Sequence, residues 1–316
     1  MPNSDQNLGS TIHPAANFDA RKDAERIKAA TKGHEFIEII CHRSNIQRME
    51  IAKMYKTLFG EEMIERLKNK TSGNLEKLLV ALVTPLPEFY AKELHDAMAG
   101  AGTTESTLIE ILASLDNRGI KTVSQSYKKL YGKTLEHDIT NETSGHFKKL
   151  LVSLAQGNRE ENSTVTSRAA EEDAEKLLEA GVNKWGTDEE VFNALLVSKS
   201  YEYLERVFVF YSSKAGQTVQ EAIMKEFSGH IKDGLLAIVQ CVQGKTSYLA
   251  TKLHKSMKGF GTDDKTLIRI IVARSEIDLA FIRSDFHTLF DDTLENFIQG
   301  DTSGDYRTAL LILTDN

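Results

Sequence analysis

The chain has 316 residues, 41% hydrophobic and 27% charged, enough apolar content to bury a large core and too much for a disordered segment. Its formal net charge is −7 with acids and bases interspersed, which excludes attraction to nucleic acid or anionic lipid by charge alone, so contact with a phosphate-rich surface needs a bridging cation. No run of about 18 apolar residues suggests a membrane span, and Met1 to Phe18 lacks the charged and apolar regions of a signal peptide, so a cytosolic protein is expected.

Met1 to Phe18 also shows no clear amphipathic helix, and it reads as a short tail. The four prolines are Pro2, Pro14, Pro85 and Pro87, so no proline interrupts the chain after residue 87 and long runs of helix are favoured. An apolar pattern fitting one buried helix face occurs as Phe36, Ile37, Ile39 and Ile40. It returns as Leu108, Ile109, Ile111 and Leu112, as Phe192, Leu195 and Leu196, and as Leu267, Ile268, Ile270 and Ile271. Phe59-Gly60, Tyr131-Gly132 and Ala215-Gly216 signal the stops of other helices. Strand-like alternation is scarce, so the fold expected is all-α.

A phrase ending in Ser-Gly recurs four times, at Lys70-Thr71-Ser72-Gly73, Glu142-Thr143-Ser144-Gly145, Glu226-Phe227-Ser228-Gly229 and Asp301-Thr302-Ser303-Gly304. The steps between copies are 72, 84 and 75 residues, each room for four or five short helices. The extra length between the second and third copies falls in a polar stretch, Gly157 to Ser167, that reads as a surface linker and implies two pairs of repeats. The resulting division is a tail over 1–18, repeats over 19–88 and 89–156, a linker over 157–171, and repeats over 172–247 and 248–316.

A second phrase, Gly100-Ala101-Gly102-Thr103, Lys184-Trp185-Gly186-Thr187 and Gly259-Phe260-Gly261-Thr262, lies between helical patterns. From its last glycine to the acid before the later Ser-Gly is 40 residues in every case: Gly102 to Glu142, Gly186 to Glu226, Gly261 to Asp301. Alternate glycines let main-chain carbonyls converge, and calcium takes six to eight oxygen ligands at about 2.3–2.6 Å, including a carboxylate. The downstream acid supplies that carboxylate if folding brings loop and acid together. The plainer alternative is a C-cap glycine followed by an N-cap threonine, with the acid merely a charge before a helix.

The first copy favours the calcium reading. Ala24 to Gly33 aligns with Ala250 to Gly259 and Phe36 with Leu267, so five residues of the loop are missing there, and the acid position is Lys70. Loop and carboxylate have gone together, as expected of one site. At the three remaining loop tips stand Ala101, Trp185 and Phe260, and an aromatic ring at such a tip suits the interfacial level of a membrane.

Other chemistries lack their residues. There is no EF-hand run, no phosphate-binding Gly-x-x-x-x-Gly-Lys and no His-Glu-x-x-His, and nothing pairs a nucleophile with a base, so no enzyme is expected. His34, His42 and His254 read as surface or packing residues, and Cys41 and Cys241, 200 residues apart, as core thiols.

The phrases Met257 to Asp263 and Gly300 to Tyr306, with Leu267 to Ser275 between them, resemble the annexin family, and the resemblance runs from about residue 19 to the C-terminus. It implies a curved disc of four five-helix repeats that binds acidic, phosphatidylserine-like phospholipid through Ca2+, with no nucleic acid partner. It leaves room for self-association on membranes, for a peripheral location when calcium rises and for secretion without a signal peptide. Carried over by position, the ligands are the carbonyls of Met98, Gly100 and Gly102 with Glu142, and of Met257, Gly259 and Gly261 with Asp301. In the third repeat they are Gly181, Lys184 and Gly186 with Glu226, the first following a variant loop. The membrane contacts are Ala101, Trp185 and Phe260. The first repeat departs from the family pattern: it has no ordinary calcium site, and Lys70 is a candidate for direct contact with headgroups. The rival expectation is a calcium-independent scaffold of the same shape that binds a protein partner.

Overall fold

The computed structural model describes residues 8–161, 166–181 and 188–315. Among them every regular element is a helix. The first repeat holds α1 (Ala20–Ala29), α2 (Gly33–Ile40), α3 (Asn45–Phe59), α4 (Met63–Lys70) and α5 (Gly73–Leu82). The second holds α6 (Leu86–Met98), α7 (Glu105–Ser114), α8 (Asn117–Tyr131), α9 (Leu135–Glu142) and α10 (Gly145–Ala155). The third holds α11 (Ser167–Ala180), α12 (Glu189–Ser198), α13 (Tyr201–Ala215), α14 (Val219–Glu226) and the start of α15 (Gly229–Met257). Helix α15 breaks at Gly244, and its second part opens the fourth repeat, completed by α16 (Asp264–Arg274), α17 (Leu279–Phe290), α18 (Leu294–Asp301) and α19 (Gly304–Thr314). With α15 counted on both sides of its break, each repeat has five helices.

Most of these helices are short, 8 to 15 residues, in a chain whose lack of proline favours long ones. Glycine ends them instead: Gly60, Gly132 and Gly216 cap α3, α8 and α13 in the left-handed conformation, and Asp291 takes that conformation after α17 with φ 54°. The recurring Ser-Gly is a second stop. In the second repeat Thr143 closes α9, Ser144 precedes α10, and Gly145 turns the chain with φ 61°. The same residue type repeats this φ at Gly73, Gly229 and Gly304 (64°, 60° and 59°), a conformation costly for a side chain with Cβ. Each acid before the Ser-Gly, Glu142, Glu226 and Asp301, is therefore the last residue of a helix.

The chain divides into two compact units, residues 1–89 with 246–316, and residues 90–245. The two pairs of repeats are thus first with fourth and second with third. In the first unit α5 packs on α16, and α19 on α2 and α5; in the second, α10 packs on α12. The apolar patterns mark the centre of each repeat, and two of these helices are buried more completely than one face. Thr107 through Ser114 of α7 are all buried, Glu110 among them, and α16 buries Arg269 between Ile268 and Ile270. Each aliphatic side chain so enclosed contributes about 1.5–3 kcal/mol relative to exposure. Cys41 and Cys241 are buried and form no disulfide, and burial pushes the Cys41 thiol up to about 12.

Two segments without periodicity are tied down. Thr11 donates through its hydroxyl to the Leu313 carbonyl at 2.6 Å and through its main chain to Ser275 at 2.7 Å, while Ile12 is buried, so residues 8–18 are seated on the first unit. In the linker, Arg159 donates from Nη1 to the carbonyls of Leu196 and Lys199 at 2.8 and 2.6 Å and stacks over Tyr201. Helix α11 starts at Ser167, so 167–171 is helical rather than linker, because Ala170, Asp173 and Ala174 form the start of its buried face.

Candidate cation loops between helices

In the second repeat the chain leaves α6 at Met98 and re-enters a helix at Glu105; in the fourth it leaves α15 at Met257 and re-enters at Asp264. Each loop is closed at its neck by one main-chain hydrogen bond. The Thr104 amide donates to the Ala97 carbonyl at 2.7 Å, and the Asp263 amide to the Ser256 carbonyl at 2.7 Å. The third repeat has the same neck one residue longer, the Asp188 amide donating to Ala180 at 2.8 Å. This register sets Gly181 level with Met98 and Met257, and all three are buried where the loop begins. Lys184, Trp185 and Gly186 lie outside the described residues.

Inside the loops, Gly100 and Gly102 have φ of 99° and 104°, and Gly259 and Gly261 of 113° and 87°. These angles lie beyond the left-handed cap near +57°, so the glycines are not C-caps. A Cβ at any of the four would meet no atom within 4 Å; the backbone path requires glycine there, not crowding. Nor are the threonines N-caps. The N-cap residues are Thr104 and Asp263, one position later, and Asp263 accepts from the Thr266 amide. Thr103 and Thr262 turn the other way: Thr103 Oγ1 donates to the main-chain oxygen of Glu142 at 3.3 Å, and Thr262 Oγ1 to the Asp301 carboxylate at 2.7 Å.

Folding therefore brings the second- and fourth-repeat loops against the acids predicted to serve them, across 39 residues. The capping alternative fails on both residue types. The acid's position is itself informative, since a carboxylate at a helix C-terminus opposes the helix dipole by a few tenths of a kcal/mol or more. Glu142 and Glu226 are exposed and Asp301 half-buried. Such an acid suits a cation better than it suits its own helix.

The donors these residues can offer are oxygens: main-chain carbonyls of the loop, a threonine hydroxyl and a carboxylate. Among the described residues no three His, Cys, Asp or Glu side chains group to hold a metal, so a cation at these loops draws most of its shell from the main chain. An oxygen-only, glycine-lined, open loop fits the hard, high-coordination chemistry of calcium. At the tips Ala101 is exposed and the Phe260 ring stands wholly in solvent, 111% of the reference exposure.

Thr103 and Thr262 are the residues at these loops that the sequence reading did not assign to the site; their signal lay in the recurring phrase itself, where threonine entered only through the capping alternative. The first repeat has a shorter connection. Helix α1 is followed by α2 after only Ala30 to Lys32, and the exposed Lys70 ends α4.

Four five-helix repeats, with glycine loops facing helix-terminal acids in the second and fourth, define an all-helical repeat protein. A profile of the Annexin family matches residues 22–82, 89–154, 172–238 and 248–313, and the chain belongs to the annexin family. It is 44% identical over 310 residues to human annexin A4, covering 96% of this chain and 97% of that protein. It is 44% identical over 313 residues to annexin A7 of Macaca fascicularis, of which it spans only 64%. The solved structure of annexin III superposes with a TM-score of 0.96 at 42% identity, covering 98% of each chain.

Proposed function

We propose that this chain attaches to acidic phospholipid membranes when calcium is present, through loops of the second, third and fourth repeats. Annexins as a family bind phospholipid in a calcium-dependent way, and among the described residues no helix is long and apolar enough to cross a membrane. The observation that carries the reading is the pairing of loop and acid, Thr262 with Asp301 and Thr103 with Glu142.

Calcium bound at a loop would supply positive charge with coordination positions left for lipid phosphate. The residues that would hold it are Met98, Gly100, Gly102 and Glu142; Gly181, Lys184, Gly186 and Glu226; and Met257, Gly259, Gly261 and Asp301. The chain's own part is positional. In the second and fourth repeats glycines give the loop its path, the neck hydrogen bond fixes its width, and threonine holds the acid-bearing helix end against it. Phe260 and Ala101 project beyond the loops, and Trp185 occupies the same place in sequence. Burying a ring such as Phe260 among acyl chains adds about 1.5–3 kcal/mol. Several weak contacts on one protein add through effective concentration. No reaction is assigned to the chain, and its place is the cytosol, peripheral to membranes when calcium rises.

Co-sedimentation with phosphatidylserine vesicles across a calcium titration tests this, comparing the natural chain with Glu142→Gln/Glu226→Gln/Asp301→Asn. Pelleting of the natural chain alone supports the reading. Equal pelleting of both, or of neither, returns the chain to a calcium-independent scaffold.

A further inference from the structure

The first repeat has lost its loop, yet the carbonyl that the loop would have used is occupied. In the other repeats the carbonyls of Ala97, Ala180 and Ser256 accept the returning loop amide. The residue aligned with them in the first repeat is Ala30, and its carbonyl accepts from Nη2 of Arg66 at 2.8 Å; the same nitrogen donates to the Lys28 carbonyl, also at 2.8 Å. A guanidinium has replaced the loop neck. It comes from α4, one turn before Lys70, so the end of α1 is held against the helix end that carries the acid in other copies.

The corner bearing Lys70 keeps the geometry of its counterparts. Thr71 donates from its hydroxyl to the Leu67 carbonyl at 2.8 Å, as Thr143 and Thr302 do to Ile139 and Ile298 at 2.6 Å, and Gly73 has the same positive φ as Gly145 and Gly304. Lys70 thus stands where Glu142 and Asp301 stand. Beside the shortened loop Lys32 is also exposed, and neither ammonium has a hydrogen bond or ion pair among the described residues. The neighbouring lysines Lys28 and Lys68 are paired with Glu61 and Glu65. Two anions lie at the loop: Glu35 is engaged by the amides of Thr31 and Lys32, which hold its carboxyl below the usual range, and the Asp305 carboxylate lies against Gly33. In three repeats this place offers a carboxylate to a cation; in the first it offers fixed positive charge.

We propose that the first repeat is a metal-free contact for the phosphate of acidic phospholipid, made by Lys32 and Lys70 on a frame held by Arg66. The proposal rests on the membrane reading above and adds to it a calcium-independent share of the attachment. Charged side chains near an anionic surface act additively and are screened by salt. Attachment at a fixed, sub-saturating calcium level is then salt-sensitive in a way that these two lysines govern.

The test is vesicle binding of the full chain to phosphatidylserine–phosphatidylcholine vesicles at sub-saturating calcium and several salt concentrations. The variant Lys32→Glu/Lys70→Glu is compared with Lys53→Glu/Lys121→Glu, which changes total charge equally at two other exposed lysines. The first variant is expected to bind about tenfold or more weakly at low salt, with the gap closing as salt rises, while the control follows the natural chain. Equal behaviour of the two variants overturns the proposal. So does competition by inorganic phosphate that weakens the natural chain and the control at concentrations that leave the residual binding of Lys32→Glu/Lys70→Glu intact, because the site would then be one for free phosphate. Failure of the natural chain to bind at saturating calcium would sink the membrane reading itself, a distinct result.

Discussion

Thr262 Oγ1 donates to the Asp301 carboxylate at 2.7 Å and reaches the main-chain oxygen of the same residue at 3.2 Å, tying the fourth-repeat loop to the end of α18. A hydrogen bond to a charged group contributes about 1.5–3 kcal/mol, less where solvent competes. The variant Thr262→Val, which keeps the shape and removes the donor, should weaken calcium binding at this loop roughly tenfold by titration calorimetry. Thr262→Ser should restore most of the loss. Equal affinity for Val and Ser would show that the hydroxyl does not position the carboxylate.

The loop glycines make a separable prediction. At Gly261, φ of 87° is costly for any residue with Cβ, yet a Cβ would touch nothing within 4 Å. Gly261→Ala should therefore distort the loop without disturbing the core, at a cost of about 1–2 kcal/mol. Calcium affinity of the fourth repeat should fall about tenfold while Tm moves by no more than a few degrees. A large drop in Tm with calcium affinity unchanged would mean that the loop is part of the fold rather than of a site.

Much of this was legible in sequence because it is local. The left-handed caps at Gly60, Gly132 and Gly216, the helix break at each Ser-Gly and the buried central helices all follow from residue type and short-range spacing. The 40-residue step from loop to acid was legible because the chain repeats it. What was hidden depends on partners distant in sequence or on main-chain acceptors. The pairing of first repeat with fourth arises from packing of α5 on α16, which no local pattern encodes. The seating of Thr11 on Leu313 joins opposite ends of the chain. The role of Arg66 is hidden because its acceptors, the carbonyls of Lys28 and Ala30, carry no mark in the sequence.

That role of Arg66 gives a stability prediction. Without its guanidinium two carbonyls at the end of α1 lose their donor and nothing in the shortened loop replaces it. Arg66→Ala should destabilise the first unit by about 1–3 kcal/mol and lower Tm by several degrees. Arg66→Lys should recover only part, since an ammonium lacks the planar fork. Calcium titration of the Glu142 and Asp301 loops should be unchanged. Unaltered melting of Arg66→Ala would mean that the deletion left α1 needing no substitute for its neck.

Acidification should loosen the fourth repeat through His254. Its ring stacks on Phe290 with centroids 3.8 Å apart and 7° between planes, and touches Phe286 and Phe297 edge-on or tilted. Burial against these rings, and secondarily the Lys258 ammonium, pulls its pKa below the ordinary 6.5. The folded chain thus takes up this proton later than the unfolded chain. The contribution to stability is intact above about pH 6.5 and is lost as pH falls through the unfolded value toward the folded one. His254→Phe keeps the stack and removes the titration, so its Tm should fall less than that of the natural chain between pH 7 and pH 5. Because the ring lies three residues before Met257, the natural chain should also show the greater rise in calcium requirement on acidification. Parallel pH profiles for the two proteins would place the acid sensitivity elsewhere.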